Sequence, residues 1–265
     1  MSQKSLFGDG DLPTTTVHQA RLQLFQPTRR PRLVSREIQT PWGIGHIVGK
    51  TGQAHADVME AIFKCSHKNR CDSDKNSPTF GAIEILVDPH AIRKIAAGKQ
   101  GGQLSGQQLD VLLTDLMQVV ISLSGNDVYP MRKGHIIDEV IESKVEAPTI
   151  KQAIKNKDGK RFYWYIRISP TFTQFIANDL HLYYDPSPIA KLETGIAQAI
   201  ARHVATHKTQ PPGGWHVDTM LASVGVDTTS SVTMRNRRRE LQKDADGLKK
   251  LGITIENGRI KREGV

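Results

Sequence analysis

An α+β protein of two tandem winged-helix domains, each a helix-turn-helix followed by a β-hairpin, is the fold class that three observations predict. Helix start signals punctuate the chain at Asp88-Pro89, Ser105 with Gln108, and Ser187-Pro188, each an N-cap with either proline at the first helical position or a capping box. The order helix, strand, helix, helix, hairpin occurs between Gln53 and Ser169, and a similar order follows in the C-terminal third. The chain closes on two short alternating runs about Asn257-Gly258, the dipeptide favoured in tight hairpin turns.

Residues 1 to about 35 mix Thr, Gln, Gly and Pro with the basic run Arg29, Arg30 and Arg32, so they read as a disordered tail. The first domain is expected over 36–178 and the second over 179–265. In the first, Val58, Ile62 and Cys65 recur at helical spacing from Gln53 to about Ser66, FGAIEILV over 80–87 reads as a strand, and a short helix runs from Asp88 to Ala97. The helix opened by Ser105 carries Leu109, Leu112, Leu113, Leu116, Val120 and Leu123 on one stripe. Strands are expected within 135–145 and 161–169, joined by a lysine-rich loop. In the second domain Ile189, Leu192, Ile196, Ile200 and Val204 share a helix face, WHVDTMLASVG is a short helix, and a long helix extends from about Ser231 to Leu251.

The 265 residues include 36 Lys+Arg and 27 Asp+Glu, a formal charge of +9, with a pI near 9.6. Such a balance points to a polyanionic partner, because clustered cations release counterions from phosphates. No stretch approaches the roughly 20 apolar residues of a membrane span, and the polar N-terminus lacks a signal-peptide core, so a cytoplasmic protein is expected. Cys65 and Cys71 fit a reducing compartment.

The long helix carries the sharpest functional signal. At 100° per residue, Met234, Leu241, Ala245 and Leu248 form a buried seam. Arg235, Asn236, Arg239 and Lys243 then point away from it, with Arg237 and Arg238 on its flanks. Arginine forks onto guanine edges and asparagine onto adenine, so the cluster fits a recognition helix in the major groove of double-stranded DNA. Ser230, Ser231 and Thr233 can donate to phosphates beside the helix start, and the hairpin offers Arg259, Lys261 and Arg262 to the backbone or minor groove. A solvated basic face is the bland alternative.

Other motifs carry less. Gly49-Lys50-Thr51 ends like a phosphate-binding loop, but the first glycine that loop requires falls on Ile44. Cys65, His67 and Cys71, with His55 or Asp72, lack the tight spacing of structural zinc ligands. The aromatic run Phe162 to Tyr165 fits alternating core packing in a strand. No catalytic triad or carboxylate pair stands out, so neither an enzyme nor a cofactor is expected.

The stretch from Leu192 to Val265, with WHVDTMLASVG, TMRNRRRELQKDADGLKKLGITI and the closing hairpin, resembles the C-terminal winged helix of plasmid replication initiators. The likeness is to the RepC type of IncQ-like plasmids, and more distantly to the TrfA type. It implies binding to direct repeats (iterons) at an origin, opening of neighbouring DNA for a host replicative helicase, and repeat readout by Arg235 through Arg239. The helix from Ser105 would hold the corresponding place in the first domain, yet it presents Gln107, Gln108, Asp110 and Thr114 with no arginine. That domain is therefore expected to serve homodimerisation as much as DNA. Gln3, Ser5, Leu6 and Phe7, within QKSLF, resemble the peptide that docks on bacterial sliding clamps, whose apolar pocket takes the Leu and Phe side chains. A transcriptional repressor or partition factor of the same fold is the alternative, and a nuclease or NTPase working through the first domain is a further rival.

Overall fold

The protein, seen in a computed structural model, is described over residues 12–21, 23–40, 43–98, 102–125, 132–148, 160–177 and 180–263. Gln3, Ser5, Leu6 and Phe7 lie outside these residues. The part of the expected tail that is described is packed. Strand β1 (Thr15–Thr16) pairs antiparallel with residues 181–182 and leads into helix α1 (Val17–Arg21). Leu12, Leu24 and Phe25 are buried, and the Thr51 hydroxyl donates to the Leu24 carbonyl at 2.7 Å. The composition rule fails here because isolated apolar anchors, without periodicity, hold an irregular strap whose polar groups bond to other backbone.

The first unit is larger than a helix-turn-helix with a hairpin. It comprises β2 (Val34–Thr40), β3 (Gly43–Gly49), α2 (Gln53–Lys64), β4 (Ser66–Cys71), β5 (Ile83–Val87), α3 (Pro89–Ile95), α4 (Gly106–Gln118), β6 (Val120–Gly125), β7 (Arg132–His135), β8 (Ile137–Glu146), β9 (Phe162–Ile168) and α5 (Pro170–Ala177). The expected strand and hairpin form the β5-β9-β8 part of an antiparallel sheet, to which β4 adds an edge. A second antiparallel sheet, in the order β2-β3-β6-β7, has no counterpart in the sequence reading.

Two of the three cap signals act as the sequence predicts. The third, Ser187-Pro188, does not, since Ser187 is the first residue of a four-residue helix after Pro186 and the apolar face from Ile196 onward belongs to a separate helix capped by Thr194. The Asp88 carboxylate accepts from the His90 N–H at 2.9 Å, and Ser105 and Gln108 bond reciprocally at 3.0 and 2.8 Å. Helix α4 nevertheless stops at Gln118 rather than Leu123. Val119, Val120 and Ile121 are β-branched, so they lose less side-chain freedom in a strand than in a helix, and Ile121 enters the same core from β6.

The second unit contains β10 (His181–Leu182), α6 (Ser187–Ala190), α7 (Gly195–Ala205), β11 (Trp215–His216), α8 (Val217–Ser223), α9 (Ser231–Lys243), α10 (Ala245–Lys249), β12 (Ile253–Glu256) and β13 (Arg259–Arg262). Its sheet order, β11-β13-β12, places the strand before the paired helices beside the last strand, as β5 lies beside β9. The long helix expected to Leu251 is divided at Asp244. The buried Asp244 carboxylate accepts from the backbone N–H of Glu193 and Thr194 at 2.9 and 2.6 Å and from the Thr194 hydroxyl at 2.8 Å. These bonds tether the helix junction to the start of α7.

Each unit has its own apolar core, one spanning Leu12 to Ile176 and the other Ile189 to Ile260. Their meeting surface is polar and buried. Arg202 of α7 reaches Gln53, Asp57 and Glu60 of α2 at 2.7 to 2.9 Å, and Tyr184 donates to Glu60 at 2.6 Å. The strap crosses the same seam: a Cβ at Gly52 would lie 2.5 Å from the Thr28 carbonyl oxygen, and one at Gly195 would lie 2.5 Å from the Thr28 backbone. Glycine at these two positions permits the close passage. Among the described residues no helix is long and apolar enough to cross a membrane.

Candidate nucleic-acid interface

Helix α9 begins after an Asx-type turn in which the Asp227 carboxylate accepts from the Thr229 N–H at 2.9 Å and the Thr229 hydroxyl at 2.6 Å. Ser230 then caps the helix by accepting from the Thr233 N–H at 3.2 Å, satisfying one of the early N–H groups that helix geometry leaves without an intrahelical partner. Met234 and Leu241 face the core, and Leu248 joins it from α10. The opposite face carries Arg235, Asn236, Arg239 and Lys243, all exposed, and none has a side-chain hydrogen bond or ion pair among the described residues. Ser231 is exposed beside them and Thr233 is half-buried.

The flanking arginines differ from this row. Arg237 pairs with Glu240 at 2.5 Å along the same helix. Arg238 crosses to α8, its Nε donating to Asp218 Oδ1 at 2.7 Å and its Nη2 to Asp218 Oδ2 at 2.6 Å. This fork holds the Asp218 carboxyl below the ordinary carboxylate range. Asp218 was not singled out from sequence; its position in the first turn of the helix WHVDTMLASVG was the available signal.

The hairpin turn has positive φ at both Asn257 (49°) and Gly258 (71°), the conformation of a type I′ turn. Its cations are anchored. Arg259 donates to the Gly214 carbonyl at 3.0 Å, Arg262 to the His207 carbonyl at 2.8 Å, and Lys261 to Glu256 at 3.0 Å. Arg259 and Arg262 thus tie the hairpin to the loop before β11, while the Lys261 pair is exposed and weak.

In the first unit the outward side of α4 presents Gln107, Gln108, Asp110 and Thr114. The Gln108 side chain is spent on its capping box, and Asp115 is engaged by Lys50 at 3.4 Å and His55 at 3.2 Å. The glycine-lysine-threonine tripeptide is likewise committed, since Thr51 is buried against Leu24. Burial and the nearby Asp88 push the Cys65 thiol up to about 11. Among the described residues no group of three His, Cys, Asp or Glu side chains is arranged to hold a metal. In the aromatic run, Trp164 packs on the core while Tyr165 faces outward and Tyr163 stacks on His67 with ring centroids 5.0 Å apart.

No family model matches the chain, and no curated protein matches it either. Solved structures do. A selenomethionine derivative of domains 2 and 3 of RctB superposes with a TM-score of 0.53 at 13% identity, covering 92% of this chain and 95% of that one. The similarity is one of fold. A second crystal structure of the same RctB domains gives a TM-score of 0.49 at 13% identity, covering 92% of this chain and 94% of that one. The first superposition runs through both units, so the two-unit α+β arrangement is shared along nearly the whole length of each chain.

Proposed function

We propose that the protein binds double-stranded DNA in a sequence-specific manner through tandem winged helices and acts as a replication initiator of the plasmid type. The observation that carries this reading is the exposed row Arg235, Asn236, Arg239 and Lys243 on α9, backed by a buried seam and without side-chain partners among the described residues. In a winged helix α9 is the recognition helix, α8 the supporting helix and β12-β13 the wing. A net charge of +9 favours approach to DNA. The first unit repeats the helix, strand, helix, helix, hairpin order, but its α4 is neutral to acidic, which favours self-association or spacing over base readout.

Binding rather than catalysis is the activity, with direct repeats at an origin as the ligand and host replication proteins as partners. Footprinting of the DNA flanking the protein's own gene tests this. Protection of tandem repeats supports an initiator, whereas protection of a lone palindrome at a promoter favours a repressor. A clamp contact through Gln3, Ser5, Leu6 and Phe7 belongs to the same proposal. Deleting residues 1–8 should leave DNA affinity intact and abolish clamp pull-down; an undiminished pull-down removes the clamp from the scheme.

A further inference from the structure

The four arginines of α9 are not equivalent, and one of them is held. Arg235 and Arg239 have no partner among the described residues, and Arg237 pairs only with a neighbour on its own helix. Arg238 is fixed in two dimensions by Asp218 from a different helix, at 2.7 and 2.6 Å, with both side chains about half exposed (50% and 53%). The pair lines a cleft of about 550 Å³ between α8, α9 and the hairpin, together with His216, Thr219, Gln242 and Gly258.

Resting on the DNA-binding reading above, we infer that Arg238 is a guanine-reading arginine and that Asp218 is its positioning residue. A guanidinium has five N–H donors. Asp218 occupies the side edge, Nε and one N–H of Nη2, and leaves the end edge formed by Nη1 and the second Nη2 proton. That end edge has the spacing that forks onto guanine O6 and N7. Because the side chain is already ordered, binding costs less rotamer entropy than it does for the untethered Arg235 or Arg239.

Charge decides between the two acceptors that such a fork fits, a guanine edge and a phosphate. The carboxylate cancels most of the cation's long-range attraction and would itself repel a phosphate drawn into the cleft. A guanine edge is neutral and needs directed donors, which the pair still supplies.

The full chain tests this with duplex DNA carrying a randomised centre as the probe. Wild-type, Asp218→Asn and Arg238→Lys proteins each select a motif. The wild-type motif should contain a G·C pair at one position where both variants lose preference, while the rest of the motif is retained. On the wild-type-selected duplex, Asp218→Asn should bind about 5- to 150-fold more weakly. On poly(dA-dT) it should bind equally well or more tightly, because a negative charge has been removed. Equal or tighter binding of the selected duplex with every position retained would overturn the assignment, leaving Asp218 as a restraint on a phosphate contact. A loss of the same size on both duplexes would also overturn it. If the wild-type protein enriches no motif, the DNA reading itself falls, and the two failures are therefore distinguishable. Unchanged circular dichroism of both variants confirms that the exposed pair is not needed for folding.

Discussion

The Arg202 guanidinium of α7 and the Glu60 carboxylate of α2 meet in a fork of 2.8 and 2.9 Å, both side chains almost fully buried. Arg202 also reaches Asp57 at 2.7 Å, and Asp57 in turn accepts from Arg29 at 3.2 Å and from Gln198 at 3.3 Å. The seam between the units is therefore a hydrogen-bonded ionic network sealed by the strap. Such a network specifies one relative placement, because any slip leaves a buried charge without its partner.

Removing one member should be costly. Arg202→Ala leaves buried Glu60 without a cation and Asp57 with only Arg29 and Gln198, and breaking a buried pair in this way destabilises by roughly 3 to 5 kcal/mol. Urea denaturation of the full chain measures it. A loss below about 1 kcal/mol would mean that water reaches the seam and that the network is not what joins the units.

The pH dependence of stability should have a component from His55. The ring Nδ1 accepts from the Gly52 N–H at 3.1 Å and Nε2 lies 3.2 Å from Asp115, so the neutral form is the one that fits. Burial lowers its pKa, with the Asp115 hydrogen bond and charge opposing and Lys50 assisting. The unfolded chain thus takes up the proton at a higher pH than the folded one. The contribution is fully present above the unfolded value of about 6.5 and is lost as pH falls through the lower folded value. Urea midpoints compared between about pH 7.5 and about pH 5 should fall further for wild type than for His55→Gln. Equal slopes would exclude His55 as a source.

What could be read from the sequence was local chemistry. Caps at Asp88 and Ser105 and the turn at Asn257-Gly258 work through residues two or three apart, and the apolar stripe of α9 needs only its own period. Errors arose where a distant partner decides. Val120 and Leu123 continue the helical stripe of α4, yet the chain leaves it because β3 and β7 are there to pair with. GIGHIVG, weighed only against a phosphate-binding loop, is a strand anchored by the fully buried Ile47. The α9 row was legible because solvent-facing residues need no partner, whereas Asp218 became visible only once α8 and α9 were placed side by side.

Asp244 illustrates the same limit and is testable on its own. The apolar seam continues through Asp244 in the sequence, and the three donors that Asp244 serves lie about fifty residues earlier. Asp244→Ala should cost on the order of 3 kcal/mol, since two backbone N–H groups lose a charged acceptor at once. Asp244→Asn, which keeps an acceptor, should cost less. If the two variants are equally stable, the carboxylate is not what fixes the start of α7.

The last prediction concerns the centre of the exposed row. With Met234 and Leu241 defining the buried side of α9, Arg239 lies within about 30° of the diametrically opposite position at 100° per residue, and among the described residues neither an acid nor a carbonyl holds it. In a major groove a side chain on this face is directed at the base edges. Arg239→Ala should weaken binding to the selected duplex by about 1 to 3 kcal/mol and binding to unrelated duplex by much less. A base contact also leaves the salt dependence little changed, whereas each phosphate contact removed lowers the slope of log affinity against log salt by about one. Fluorescence anisotropy on the two duplexes across a salt series distinguishes these outcomes. A uniform loss across sequences with a shallower slope would move Arg239 from the bases to the backbone.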